Sequence, residues 1–172
     1  MVQTKTWNKL TIRDDGTVWI DDVTEYPYIR KYNRLGESDG YLYIQLPGCS
    51  RKFSVHRIVA KLFVENKAPD IFFVVDHINR IKTDNRACNL RFVNPHINSI
   101  NRYNPNCIQF DEKEKLWKAC VSVKGELIMV GHFKYWHVAH RAVMNTKEEI
   151  AYRLLHEYTE EFMDQFTQDY NN

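Results

Sequence analysis

Apolar and polar residues alternate along residues 10–20, with Asp15-Gly16 in the middle. A period of two buries one face of a strand, and Asp-Gly is a strong turn signal, so the segment reads as a β-hairpin. Residues 41–46 and 52–55 alternate in the same way around Pro47-Gly48 and read as a second pair of strands. Between the two hairpins, residues 27–35 hold aromatics and bases (Tyr28, Arg30, Lys31, Tyr32, Arg34), and a turn runs from Gly36 to Gly40. From His56 to Phe63 the spacing changes. Ile58, Val59, Leu62 and Phe63 gather on one side of a helix. His56 is read as a packed, structural residue of that helix.

The second half continues with short elements. Residues 72–75 and 90–93 read as strands flanking a polar loop at 80–86. Asn94 caps a helix from Pro95 to about Arg102, with Pro in a favoured first-turn position. That helix puts Asn98 and Asn101 within one turn, with Asn98 facing the loop chemistry and Asn101 or Arg102 facing outward. Residues 104–106 read as a linker. Three strands come next at 107–110, 116–123 and 127–133, with turns at 111–115 and 124–126, and a helix starts near Tyr135. Residues 147 to about 166 form an acidic amphipathic helix with Ile150, Leu154, Tyr158, Phe162 and Phe166 in one stripe. The stripe docks on the body of the protein by default, and self-association is the sharper alternative. The order of elements is that of an α+β protein.

Composition changes this picture in one respect. Hydrophobic residues at 44% and charged residues at 27% are ordinary for a globular chain. The net charge of +2 hides a strong asymmetry, because residues 30–102 carry 13 Lys and Arg against 6 Asp and Glu, whereas 146–172 carry 2 against 7. A basic block of that kind fits a surface facing a phosphate backbone. No run approaches the ~18 apolar residues of a membrane span, and the N-terminus lacks the apolar core of a signal peptide. The expected location is the cytoplasm, that of the host cell if the gene is phage-borne. Cys49, Cys88, Cys107 and Cys120 are widely spaced with no Cys-x-x-Cys, so no structural zinc is expected and reduced thiols are the default.

Chemistry concentrates in residues 74–102. Asp76 supplies a hard oxygen ligand for a divalent cation. His77, next to it on a strand, points to the opposite face and can act as a general base on water. Asn98 brings a second protein oxygen. Together these are the parts of a one-metal phosphodiesterase.

Asp76-His77, Asn89-Leu90-Arg91 and Asn98-x-x-Asn101 in this order resemble the motif of the HNH endonucleases, specifically the phage and intron-encoded homing group. The stretch Ser54-Val-His-Arg-Ile-Val-Ala-Lys-Leu-Phe63 is similar to the one that usually precedes that motif, so the resemblance covers roughly residues 10–102. It implies a ββα-metal core in which two strands and a helix clamp one ion, Mg²⁺ or Mn²⁺. In that frame Asp76 and Asn98 hold the metal, His77 activates water, and Asn89 braces the loop between the strands and helps fix the imidazole direction. Many members carry His where Asn98 stands here, and His96 lies two residues earlier as the next candidate base. The implied phosphate clamps are Arg57, Arg80, Lys82, Arg86, Arg91 and Arg102.

The three strands and following helix, with Trp117-Lys-Ala119 and Gly131-His-Phe133, resemble the ethylene-response-factor type of DNA-binding domain. That resemblance implies a sheet face in the major groove bearing Lys113, Lys115, Trp117, Lys118, Ser122 and Lys124. The family's Gly-Val before the first strand is replaced by Asn106-Cys107-Ile108, and its acidic helix start by Tyr135-Trp-His-Val138. The expected organisation is an HNH nuclease domain with a β-hairpin extension at 1–103, and a three-stranded DNA-binding module with a C-terminal amphipathic helix at 104–172. The expected function is hydrolysis of phosphodiester bonds in double-stranded DNA, of site-specific homing or nicking type. The alternatives are a catalytically weak DNA-binding protein or repressor on this scaffold, and an RNase. Monomer and homodimer both remain open.

Overall fold

The computed structural model describes residues 1–20, 22–30, 38–102 and 104–170, with residues 105 and 161–170 described by backbone only. Lys31, Tyr32, Arg34 and Gly36 lie outside the described residues, as do the side chains of Phe162 and Phe166. Helix and sheet are mixed, and the chain divides into two compact units, Met1–Phe92 and Val93–Asn172.

In the first unit β1 (Thr4–Trp7), β2 (Leu10–Arg13), β3 (Val18–Ile20) and β4 (Thr24–Glu25) form an antiparallel sheet in chain order. The β2–β3 pair is the hairpin that alternation predicted. Its turn is fixed by Asp15, whose Oδ1 accepts from the Thr17 N–H at 2.9 Å, and by Gly16 at φ +89°. Strand β1 was not legible. Its residues are polar and mostly exposed, and it turns into β2 through Asn8 and Lys9, both at positive φ without a glycine. β5 (Tyr43–Gln45) and β6 (Lys52–Ser54) form the second hairpin, and α1 (Val55–Phe63) comes directly after it. Ile12, Val18, Ile44, Val55 and Val59 are fully buried in one cluster with Leu10, Ile58 and Leu90. Each such side chain contributes about 1.5–3 kcal/mol on burial.

β7 (Val74–His77) pairs with β8 (Leu90–Val93). The first of these strands starts two residues later than predicted. Phe72 instead closes a turn, its N–H donating to the Ala68 carbonyl at 2.8 Å, and its ring is buried.

In the second unit α2 (Pro95–Asn101) begins at Asn94, whose side chain accepts from the Ile97 N–H at 2.8 Å, as the sequence predicted. Asn101 is buried, not outward-facing, and Arg102 is exposed. The expected linker is a 3-10 turn over Pro105–Cys107 capped by Asn104. It is no joint between units: Ile100 before it and Cys107 at its end sit in one core with Ala119, Val121, Ala139, Val143 and Ile150. For that reason α2 groups with the C-terminal part of the chain. β9 (Ile108–Asp111), β10 (Leu116–Val123) and β11 (Glu126–Phe133) make an antiparallel sheet with β10 in the centre. The two helices expected after it are one, α3 (Trp136–Tyr170). No Gly or Pro interrupts that stretch, so nothing ends the first helix before the second begins. Among the described residues no helix is long and apolar enough to cross a membrane.

Candidate active site

Asp76 and His77 end β7 on opposite faces of the strand, and both are buried. Asp76 Oδ2 pairs with Arg91 Nε on β8 at 3.0 Å, and the two side chains are 8% and 11% exposed. Arg91, expected as a phosphate clamp, is here engaged with Asp76. Cross-strand pairing with Asp76 turns its guanidinium inward. A buried ion pair is costly to break from one side, because the partner is left as an uncompensated charge.

On the other face, His77 Nε2 lies 3.1 Å from Asn85 Oδ1. The carbonyl oxygen accepts, so the tautomer that makes this bond carries its hydrogen on Nε2 and its basic lone pair on Nδ1. The His56 ring stands 5.1 Å from the His77 ring, and the Tyr41 ring lies tilted against both, at 4.8 Å and 5.8 Å. Lys82 Nζ lies over the Tyr41 ring, 4.8 Å from its centre, and donates to the Asp39 carbonyl at 2.8 Å. Burial lowers the pKa of His77, opposed by its bond to Asn85 and by the charges of Asp76 and Asp84. Burial also drives His56 down to about 3, helped by the charges of His77 and Arg57. Burial thus favours the neutral form of both imidazoles. His56 does pack, as read from sequence, yet its Nδ1 is buried without a hydrogen-bond partner.

The loop from Ile78 to Asn89 is held at three places. Asn89 lies inside it: Nδ2 donates to the Asp84 carbonyl at 2.8 Å and to Asn79 Oδ1 at 2.9 Å, while Oδ1 accepts from the Asn79 N–H at 3.0 Å. Asn89 thus ties the loop to itself, while Asn85 is the residue that contacts the His77 ring. Arg86 grips Asp84 through Nε and Nη2, both at 2.7 Å, which holds the Asp84 carboxyl down at about 2. Finally, the β2–β3 turn sits on the loop, with the Ala87 N–H donating to the Asp14 carbonyl at 2.7 Å. A side chain at Gly16 would place its Cβ 2.6 Å from the Asn85 carbonyl carbon. Glycine is therefore required there both for its positive φ and for close approach to the residue that orients His77.

The other predicted residues lie in both units. Arg57 is exposed on α1, and Arg80 is half-buried at φ +64° in the loop. Asn98 and His96 lie half-buried on α2, in the second unit. Lys115 is paired with Glu112 at 2.8 Å and Lys118 with Asp111 at 2.5 Å, while Lys124 is exposed in the β10–β11 turn. Trp117 does not share a face with Lys118 and Ser122. Strand alternation turns it to the core side, where it packs on the second cluster and meets Phe110 at 5.0 Å. Asn85, His56 and Gly16 were missed as site residues. The available signal was the Asp84-Asn-Arg86 run in the loop, read only as turn-prone polar sequence.

No family model matches the chain, and no curated protein does. A solved structure of "DNA binding and cleavage by the HNH homing endonuclease I-HmuI" is similar to it over 58% of this chain and 56% of that one, with 25% identity and a TM-score of 0.42. The chain thus matches little more than half the length of that protein.

Proposed function

We propose that the protein is a metal-dependent DNA endonuclease of the HNH type. The observation that carries this reading is the arrangement at the end of β7: a buried imidazole keyed by Asn85 at 3.1 Å, one residue from a buried carboxylate. The basic block over residues 30–102 supports a polyanionic substrate.

The donor set fits a hard divalent cation. Asp76 would supply a carboxylate oxygen, and on the resemblance in sequence Asn98 would add an amide oxygen. Among the described residues no three His, Cys, Asp or Glu cluster as a closed cage. So few protein donors suit Mg²⁺ or Mn²⁺, which keep water and substrate oxygens in their shell. A carboxylate offers about four lone-pair positions, so the Arg91 bond to Oδ2 is compatible with cation binding. When bound, the ion supplies charge neutralisation at the scissile phosphate and the departing oxygen.

The chain's own residues supply the proton chemistry. His77, with Nε2–H directed to Asn85, presents Nδ1 to the attacking water and takes its proton. The water oxygen forms a bond to phosphorus, one P–O ester bond breaks, and the departing oxygen leaves as an alkoxide that is protonated by solvent. Arg91 steadies Asp76, Asn89 holds the loop, and the rings of Tyr41 and His56 keep bulk water from one side of the base. In the second unit, the outer face of β9–β11, with Lys118 and Ser122, is the proposed DNA-contacting surface. One site per chain cuts one strand per event, so nicking is the elementary act. Incubation of the full chain with a defined duplex and Mg²⁺, with ends mapped on both strands, tests the reading. The expected result is a metal-dependent nick absent from His77→Ala. No cleavage of duplex DNA with either metal, or cleavage of RNA alone, would overturn it.

A further inference from the structure

The second unit holds a cavity of about 430 Å³ whose described walls carry Arg102, Lys124 and Lys147 but no Asp or Glu. Ser99 and Asn104 add neutral polar groups. We infer that this cavity is a phosphate site, taking one phosphodiester of the DNA backbone other than the scissile one. The inference rests on DNA being the substrate and adds to it a second anchoring point.

The argument is electrostatic. Three cations from three separate elements converge on one concave surface: the C-terminus of α2, the β10–β11 turn and the body of α3. Lys147 is 5% exposed, and its Nζ donates to the Arg102 carbonyl at 2.7 Å, which ties α3 to the residue after α2. Lys124 stands at φ +51° beside Gly125 in the tight turn, so its position is set by the hairpin. Field lines focus in a concavity lined by one sign of charge, which raises the local concentration of anions. A backbone phosphate, with charge and acceptor oxygens and no donor, matches walls made of ammonium, guanidinium, hydroxyl and amide groups. Such contacts fix register on a duplex without reading bases.

The test is the salt dependence of binding by the full chain to a fluorescent duplex in EDTA, so that cleavage is silent. Each neutralised phosphate contributes about 0.9 to the slope of log K against log[salt]. Arg102→Ala/Lys124→Ala should lower the slope by about 0.9 relative to the wild type, with Lys67→Ala as the surface-charge control that leaves it unchanged. Both pocket residues are exposed, and circular dichroism checks that the double variant folds. An unchanged slope in the double variant overturns the site even if the wild type cleaves DNA. A lowered slope in a protein that never cleaves keeps the site and rejects the nuclease reading. Inorganic phosphate that binds the wild type but not the double variant, and leaves duplex affinity unchanged at constant ionic strength, would assign the cavity to free phosphate and overturn the DNA assignment, as would absence of DNA binding by the wild type.

Discussion

Acidification offers a direct test of the His56–His77 pairing. His56 has an ordinary pKa of ~6.5 unfolded and about 3 in the folded protein, because burial disfavours the cation. Between these values the unfolded chain binds a proton that the native protein refuses. The neutral state's stability is therefore fully present above pH ~6.5 and is lost as pH falls toward 3. At pH 5 the native pKa lies well below the solution, so the loss is set almost wholly by the unfolded value. Relative to pH 7 it comes to about 2 kcal/mol. The perturbation is a shift from pH 7 to pH 5 in the wild type and in His56→Leu, which removes the titrating group together with the buried, unpartnered Nδ1. Urea unfolding should be read by hydrogen exchange at the amides of Tyr43, Val55 and Ile78. All three are hydrogen-bonded inside the first unit, to Ile29, Leu42 and Asn89. The wild type should lose about 2 kcal/mol more than the variant over this interval, with an unchanged denaturant slope. Equal losses in the two proteins would refute the reasoning, because then the buried imidazole does not couple folding to protons.

The same contacts set the remaining expectations. His77→Ala should lower cleavage by about 10²–10⁴-fold while leaving duplex affinity intact, measured by single-turnover nicking and by binding in EDTA; wild-type rates would move the base, with His96 as the next candidate. Because burial lowers the His77 pKa, the acid limb of the pH–rate profile should lie below ~6.5; a limb above that value would contradict a buried, neutral base. Asp76→Ala should lose Mg²⁺-dependent activity and also destabilise the fold by about 3–5 kcal/mol, because Arg91 is left buried and uncompensated; unchanged urea stability would show that the pair does not matter. Gly16→Ala should cost at least about 1–2 kcal/mol from its positive φ, and should slow cleavage by displacing Asn85; a variant as active and stable as the wild type would remove the hairpin turn from the site.

The alternating pattern around Asp15-Gly16 by itself determined the β2–β3 hairpin, because a two-residue period and a turn dipeptide are local signals. Asn94-Pro95 likewise determined where α2 starts, since both residues act within one turn. The Asp76-His77 pair at the end of an apolar strand, and Asn89 before the next one, made the candidate chemistry legible before any fold was known. Other features depended on contacts distant in sequence. Nothing near Arg91 says that it will direct its charge to Asp76 instead of to a phosphate; only β7–β8 pairing decides that. Asn85 looked like any loop asparagine until the loop folded back to put its Oδ1 against His77, and Gly16 became a site residue only because the turn lies on Asn85. Trp117 lost its place on the DNA-facing sheet because the α3-facing core claims that side of β10. The depressed pKa of His56 likewise comes from rings and strands separated in sequence, since desolvation is a property of the assembled core and not of any neighbouring residue.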